Sequence, residues 1–156
     1  MTIRPLVHED EQQVMRLMAE HTLQFPDFVI QKYPERWSVY LNEERNDRCG
    51  YWVMEDDRLG VVGHAGFIMS EDGDYEIVGV VVRKDQARRG IGRELIDTVC
   101  RYIADEGASS VMLTTLGHAD NGAVILFYQG IGFDLVREET DYFIPGYHRV
   151  TFSKPL

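Results

Sequence analysis

A basic, glycine-containing turn is the part of the sequence best suited to chemistry. It follows three consecutive valines, Val80, Val81 and Val82, and leads directly into an amphipathic helix that begins near Gly90. Glycines permit close backbone approach and positive φ, and the outward-pointing first amides of a helix favour anions. Arginine side chains add positive charge, so the turn predicts a phosphate-binding site. Its residues are Arg88, Arg89, Gly90, Ile91, Gly92 and Arg93.

Two common phosphate motifs do not fit this turn. A dinucleotide-binding fingerprint requires a third glycine where this chain has Leu95, and a P-loop requires Lys followed by Ser or Thr after its last glycine. A nucleotide-binding domain of a different fold is therefore disfavoured. Taken alone, the strand, turn and helix also fit an ordinary turn whose arginines are solvated.

A second motif lies about 30 residues further along the chain. Asn121 is followed by Phe127 and Tyr128 and then by Gly132 and Phe133, on a predicted helix that leaves a strand. In this order, and with a strand between them, the two motifs resemble those of the GNAT superfamily of N-acetyltransferases. The resemblance covers most of the chain. It implies an acetyl-CoA site that joins the second helix to the arginine-glycine turn.

One position departs from the family pattern. The family usually has Gln or Arg three residues before the first glycine, where this sequence has Ala87 between Gln86 and Arg88. The resemblance implies that the turn binds pyrophosphate mostly through backbone amides, so we expect acetyl-CoA binding to survive. We expect its affinity to depend more on Arg88, Arg89 and Arg93.

The resemblance also implies two catalytic residues. A lysine-like amine with a pKa of about 10.4 is almost wholly protonated at pH 7, so acetyl transfer needs a base. Glu76 lies fourteen residues before Gly90, which is similar to the offset of the general base in the histone acetyltransferase branch. Tyr128 matches the tyrosine that donates a proton to the CoA sulfur. The alternatives are a solvated strand-edge carboxylate for Glu76 and a core position beside Phe127 for Tyr128.

By the same resemblance, Asn121 and the three strand valines, Val80, Val81 and Val82, are candidate cofactor-binding residues. Asn121 contacts the cofactor from the helix, while Val80 and Val82 offer backbone groups to the thioester carbonyl and the pantetheine arm. A backbone amide aimed at the thioester oxygen would act as a modest oxyanion hole. Both valines are expected in the core in any case.

The function implied is a soluble acetyl-CoA-dependent N-acetyltransferase that acts on a primary amine of a small molecule or a protein. The alternative is a non-catalytic GNAT-like domain that binds acyl-CoA as a sensor or interaction module. The presence of Glu76, Asn121 and Tyr128 counts against that alternative. Residues 25–37 and 142–148 resemble the variable regions that flank the acceptor cleft, although either segment could simply cover the sheet.

The elements that must position these residues follow from hydrophobic periodicity and turn signals. Strands are predicted over residues 2–7, 51–54, 59–69, 75–82, 109–115, 134–140 and 147–153. A first helix begins after residue 9 with Val14, Leu17, Met18 and His21 on one face, and others span 90–107 and 121–129. We therefore expect one domain over residues 1–156 of the α+β (mixed α/β) class. Its mostly antiparallel, twisted sheet should have about six or seven strands and about four flanking helices.

Composition and charge limit the partners. The 156 residues include 26 acidic and 16 basic side chains, for a net charge of −10, which disfavours nucleic acid and anionic membranes and favours a cationic amine acceptor. Two cysteines form neither a disulfide framework nor a zinc pattern, and the five histidines lack metal-ligand spacing. We expect no metal and a cytoplasmic location. The sequence leaves open whether the protein forms a homodimer.

Overall fold

The computed structural model describes residues 1–42 and 48–156. Seven strands in these residues form one sheet: β1 (Thr2–Pro5), β2 (Cys49–Asp56), β3 (Gly60–Met69), β4 (Tyr75–Val82), β5 (Ser110–Gly117), β6 (Asp134–Ile144) and β7 (Tyr147–Pro155). Their order across the sheet is β1-β2-β3-β4-β5-β7-β6.

Five helices in the described residues flank the sheet: α1 (Glu11–Ala19), α2 (Asp27–Ile30), α3 (Tyr33–Asn42), α4 (Ile91–Asp105) and α5 (Gly122–Gly130). Of these, α2 is a single turn. The predicted α+β class and mostly antiparallel sheet are confirmed.

A cleft opens in the middle of the sheet between β4 and β5, which are parallel neighbours and diverge from one another. Among the described residues these strands pair at a single position, Glu76 with Met112. Every other neighbouring pair is antiparallel, and β3 follows β4 as far as Val82. Beyond Glu76, the edge of β4 that faces β5 is therefore free to bind something other than a strand.

Each face of the sheet has its own hydrophobic core. The predicted stripe of α4 is confirmed, since Ile91, Leu95, Val99 and Ile103 are all buried on one face. On the other face, α1 and α3 cover β2, β3 and the end of β4; the buried residues there include Val14, Met18, Tyr33, Trp37, Tyr51, Val53, Val78 and Val81. The two cores hold β4 from both sides.

A β-bulge interrupts β4 at Gly79. His64 pairs with Val81 and Gly66 with Val78, so two residues of β4 lie opposite one residue of β3. Gly79 has a φ of +66°, which favours glycine. A Cβ at this position would lie 2.8 Å from the His64 ring and 2.9 Å from the Tyr33 ring. The bulge therefore requires glycine for both conformation and space.

Segment 25–37 covers the sheet in part, as one alternative predicted, because Tyr33 and Trp37, four residues apart, bury one face of α3. Two other predicted segments differ from the structure. The helix α1 ends at Ala19, so the placement of His21 on its buried face is wrong. The strand β6 extends to Ile144, so much of the predicted loop 142–148 is strand with a tight turn before Tyr147.

Candidate functional site

The free edge of β4 forms one wall of the cleft. The Arg83 N–H donates to the Val62 carbonyl of β3 at 2.8 Å. Because the backbone groups of successive residues point alternately to the two edges of a strand, the groups of Val81 and Arg83 point toward β3. The groups of Val80 and Val82 therefore face the cleft, whereas those of Val81 face β3. Consistent with this, the Val82 carbonyl accepts a hydrogen bond of 2.8 Å from His21 Nε2 rather than from a strand.

The basic turn lies where β4 ends. Arg88 and Gly90 have φ values of 66° and 78°, so two left-handed residues flank Arg89 immediately before α4 begins. Such a backbone turns successive amides toward one point, which is the geometry of an anion-binding nest. A Cβ at Gly90 would meet no described atom within 4 Å. The space over the first turn of α4 is therefore open.

The remaining residues of the turn divide into charged and anchoring positions. The side chains of Arg88, Arg89 and Arg93 are exposed around the open space, where they can neutralise a phosphate. Ile91 is buried in the core and Gly92 packs near Phe127. These two can therefore contribute backbone amides alone. The turn fits the pyrophosphate of a coenzyme such as CoA.

Glu76 lies at the closed end of the cleft. Its side chain is half-buried on the same face as Val78, between Ile68 of β3 and Met112 of β5. Burial raises the pKa of Glu76, while the positive charges of Arg36 and Arg149 act in the opposite direction. A carboxylate with a raised pKa is a stronger base than an exposed one, so this group is suited to receive a proton.

Tyr128 lies on α5 and is only 7% exposed. Its ring packs 5.9 Å from the rings of both Phe133 and Phe152. Burial raises the pKa of the Tyr128 phenol further above its ordinary value of 10, and the nearby Tyr33 adds to the effect. The phenol therefore keeps its proton at neutral pH and can act as an acid.

Tyr33 interacts electrostatically with both of these groups and was missed by the sequence reasoning. Burial raises its pKa to about 12, partly offset by Arg36, and the carboxylate of Glu76 adds to the rise. The Arg36 guanidinium carbon lies 5.1 Å from the centre of the Tyr33 ring. Tyr33 is therefore close enough to Glu76 and to Tyr128 for its electrostatics to be linked with both.

His64 is the second group that the sequence reasoning missed as part of the site. The fully buried Nδ1–H donates to the Gly79 carbonyl at 2.7 Å, and Nε2 accepts from Trp37 Nε1 at 3.2 Å. Both bonds require the neutral Nδ1–H tautomer. Burial lowers the pKa of His64 to about 4. The sequence signal that could have found it is a histidine between glycines in an otherwise apolar strand.

Asn121 occupies the position before α5, as predicted, but its side chain turns inward and is 0% exposed. Its Nδ2 donates to the Leu116 carbonyl at 2.6 Å and to Thr115 Oγ1 at 3.3 Å. Its Oδ1 accepts from Gln24 Nε2 at 2.6 Å. The contact of Asn121 with a cofactor stays a prediction, and in this structure its amide is bonded within the protein.

The described part of the chain has neither a cluster of metal ligands nor a membrane-spanning helix. Within residues 1–42 and 48–156, no three His, Cys, Asp or Glu side chains converge to hold a metal ion. None of the helices in those ranges is long and apolar enough to cross a membrane. His118 instead makes local contacts, with a 3.1 Å hydrogen bond from the Asp120 amide and its ring 4.5 Å from that of Tyr147.

Comparison with known proteins gives a family and a fold. The sequence model of the acetyltransferase (GNAT) family matches residues 14–133. No curated protein matches the sequence. Among solved structures, a GNAT-family protein from Desulfovibrio desulfuricans has a TM-score of 0.84 at 16% identity, over 99% of this chain and 98% of that one.

Two further structures have named acceptors. The ribosomal-protein-S18-alanine N-acetyltransferase from Escherichia coli has a TM-score of 0.76 at 16% identity, over 99% of this chain and 92% of its own. A phosphinothricin acetyltransferase from Sinorhizobium meliloti, in complex with acetyl-CoA, has a TM-score of 0.78 at 16% identity, over 99% and 88%. At these identities the structures show a shared fold.

Proposed function

Because the chain belongs to the acetyltransferase (GNAT) family and is an acyltransferase, we propose that it transfers the acetyl group of acetyl-CoA to a primary amine of a small molecule or a protein. The observation that carries this proposal is the cleft between β4 and β5. At one end it has the open nest formed by Arg88 and Gly90. Glu76 lies at the other end, and both Glu76 and Tyr128 interact electrostatically with Tyr33.

Acetyl-CoA supplies a thioester whose carbonyl carbon an uncharged amine can attack. The turn and the first amides of α4 would hold its pyrophosphate, with Arg88, Arg89 and Arg93 around it. The backbone groups of Val80 and the N–H of Val82, whose carbonyl is bonded to His21, would meet the arm and the thioester along the edge of β4. An N–H donor at Val80 would stabilise negative charge on the thioester oxygen.

Glu76 is our candidate for the base that receives the proton of the acceptor ammonium. At about 3.3 Å per residue, the Cα atoms of Glu76 and Val80 would lie at most roughly 13 Å apart along β4, since the bulge at Gly79 shortens the strand between them. An amine positioned for attack near Val80 would therefore lie beyond direct reach of the carboxylate. The proton would pass to Glu76 through water, or through the hydroxyl of Tyr33.

Tyr128 is our candidate for the acid. It holds its proton at neutral pH, and its fixed packing against Phe133 and Phe152 keeps the phenol in one place. Donation to the leaving sulfur would prevent the accumulation of a free thiolate in the cleft. The raised pKa of Glu76 brings this base closer to neutral pH, whereas the raised pKa of Tyr128 keeps the phenol protonated but makes it a weaker acid.

The acceptor class follows from two considerations. By their names, the similar proteins from E. coli and S. meliloti act on a ribosomal protein alanine and on phosphinothricin, so both protein and small-molecule amines remain in the proposal. The net charge of −10 favours a cationic acceptor. Arg36 and Arg149 lie near Glu76, so any additional positive charge on the acceptor must be bound elsewhere on the surface.

The proposal is tested by following free thiol release from acetyl-CoA in the presence of a panel of amines. Transfer requires thiol release that depends on one of the amines. Stabilisation by CoA in a thermal shift without thiol release on any amine would instead indicate the non-catalytic acyl-CoA-binding alternative. Stabilisation by NAD or ATP but not by CoA would contradict both.

A further inference from the structure

A short segment between α1 and α2 spans the cleft and is hydrogen-bonded to both of its walls. We call residues 20–24 the bridging segment. On the β4 side, His21 Nε2 donates to the Val82 carbonyl at 2.8 Å, and Glu20 Oε1 accepts from the Lys84 amide at 3.2 Å. On the α5 side, Gln24 Nε2 donates to Asn121 Oδ1 at 2.6 Å. The segment therefore joins parts of the chain that β4 and β5 leave separated.

The contact between Gln24 and Asn121 is the most constrained of these bonds. Asn121 is completely buried, and its Nδ2 group is already bonded to Leu116 and Thr115 at the end of β5. The bond from Gln24 satisfies the remaining side-chain atom, Oδ1. Removal of that donor would leave a buried acceptor without its partner, which is costly unless the surrounding backbone shifts.

Asn121 controls the position of α5, because the helix begins at the next residue, Gly122. Tyr128 lies seven residues after Asn121, which is two helical turns and thus the same side of the helix. A shift at Asn121 would therefore move both the helix end that borders the cleft and the phenol within it. On the opposite wall, His21 fixes the last carbonyl of β4.

We propose that Gln24 is a positioning residue for CoA binding, which acts through Asn121 to hold the start of α5 at a fixed distance from the end of β4. The inference rests on the proposed function, since it takes the cleft to be the CoA site. Gln24 needs no contact with the ligand. Its effect is to keep the two walls at the separation that the ligand requires, so that binding does not have to order them.

The test compares Gln24→Met with wild type by isothermal titration of CoA. Methionine has a similar length and volume but no N–H donor, so it isolates the hydrogen bond. We expect the Kd of CoA to rise by about 2- to 30-fold, at a temperature where circular dichroism shows both proteins folded. The matched control is Gln31→Met, at an exposed position just after α2, which should leave the Kd unchanged.

A Kd for Gln24→Met within 2-fold of wild type would overturn the inference while leaving the proposed function intact. If wild type itself fails to bind CoA, the proposed function fails first, and the inference fails with it. A role through Asn121 also predicts non-additivity: in an Asn121→Ala background, Gln24→Met should not raise the Kd further. If Gln24 had a purely structural role, Gln24→Met would lower the melting temperature, but its effect on the Kd of CoA would not depend on Asn121. If Asn121→Ala does not fold, the Kd of CoA for Gln24→Met alone still tests the inference.

Discussion

The Nδ1–H of His64 donates a 2.7 Å hydrogen bond to the carbonyl of Gly79, fifteen residues away on the neighbouring strand. The Gly79 carbonyl at the bulge is therefore hydrogen-bonded to a side chain rather than to a neighbouring strand. The His64 ring is also hydrogen-bonded to Trp37. The bulge lies between Glu76 and Val80, so it sets the spacing between the candidate base and the backbone expected to meet the thioester. A buried imidazole thus shapes the cleft without facing it.

The buried, neutral state of His64 predicts a pH dependence of stability. Its pKa is about 4 in the folded protein and about 6.5 when unfolded, so between these values the unfolded state binds more protons. Stability should therefore fall as the pH drops from about 6.5 to about 4, by about 3 kcal/mol in total. Urea unfolding of wild type and His64→Gln across this range measures the effect. The difference between their free energies of unfolding should shrink as the pH falls; a constant difference would contradict it.

Gly79→Ala should be strongly destabilising. The new methyl group must adopt a φ of +66° and would lie within 2.9 Å of two buried rings. The left-handed conformation costs about 1 kcal/mol and the overpacking about 2 kcal/mol more. The matched control is Gly73→Ala, at a φ of +86° with no described atom within 4 Å of the new Cβ. It should lose only about 1 kcal/mol. Equal losses of melting temperature in the two variants would show that contacts with His64 and Tyr33 are unimportant.

The sequence pattern within residues 75–105 was sufficient to predict the strand, turn and helix that form the phosphate-binding part of the site. The valines of β4, Gly90 and the four-residue repeat of α4 lie within one continuous stretch, and each element specifies its own conformation. The strand Tyr75–Val82 has the predicted bounds. The turn between β4 and α4 was therefore predictable from the sequence.

The remaining features depend on contacts between distant residues. The bulge at Gly79 needs a histidine on another strand, and the bond between Gln24 and Asn121 joins residues 97 positions apart. Tyr33 lies in a segment rich in aromatic residues and proline that shows no clear periodicity until it packs on the sheet. No local propensity carries such information, so the bridging segment and the tyrosine could not be predicted.

Arg88→Gly should separate backbone strain from charge. Arg88 has a φ of 66°, which glycine adopts without penalty, so the variant should be more stable by about 0.5 to 1 kcal/mol. Loss of the guanidinium should raise the Kd of CoA by about 2- to 5-fold. Thermal melts and CoA titrations measure the two effects. Arg101→Gln removes the same charge about 15 Å along α4 from Ile91 and should leave the Kd unchanged. Tighter CoA binding by Arg88→Gly would contradict a role for its charge.

Tyr128→Phe tests the acid. The ring and its packing remain, so the Kd of CoA should stay the same, while kcat should fall by about 100-fold because no phenol protonates the leaving sulfur. Tyr75→Phe is the matched control: Tyr75 precedes Glu76 on β4 and packs toward Phe67 on the opposite face. Single-turnover rates of thiol release should separate the two variants. Unchanged turnover in Tyr128→Phe would rule out its role as the acid.

Glu76→Gln tests the base and should change activity and stability in opposite directions. Burial raises the pKa of Glu76, so its charged form is disfavoured in the folded protein. That contribution destabilises the fold as the pH rises above the pKa of the unfolded state. The neutral amide removes it, so the variant should melt at a higher temperature at pH 7. The same change removes the proton acceptor, so kcat/KM should fall by about 100-fold.

The pH profile distinguishes a base from a residue that merely shapes the cleft. In wild type, kcat/KM should decline as the pH falls through the raised pKa of Glu76, and Glu76→Gln should lack this limb. Glu71→Gln, an exposed carboxylate in the turn before β4, should retain both the limb and the rate. A variant Glu76→Gln that is slower but keeps the acidic limb would assign the base to another group, and His21 at the far end of the cleft would be the next residue to replace.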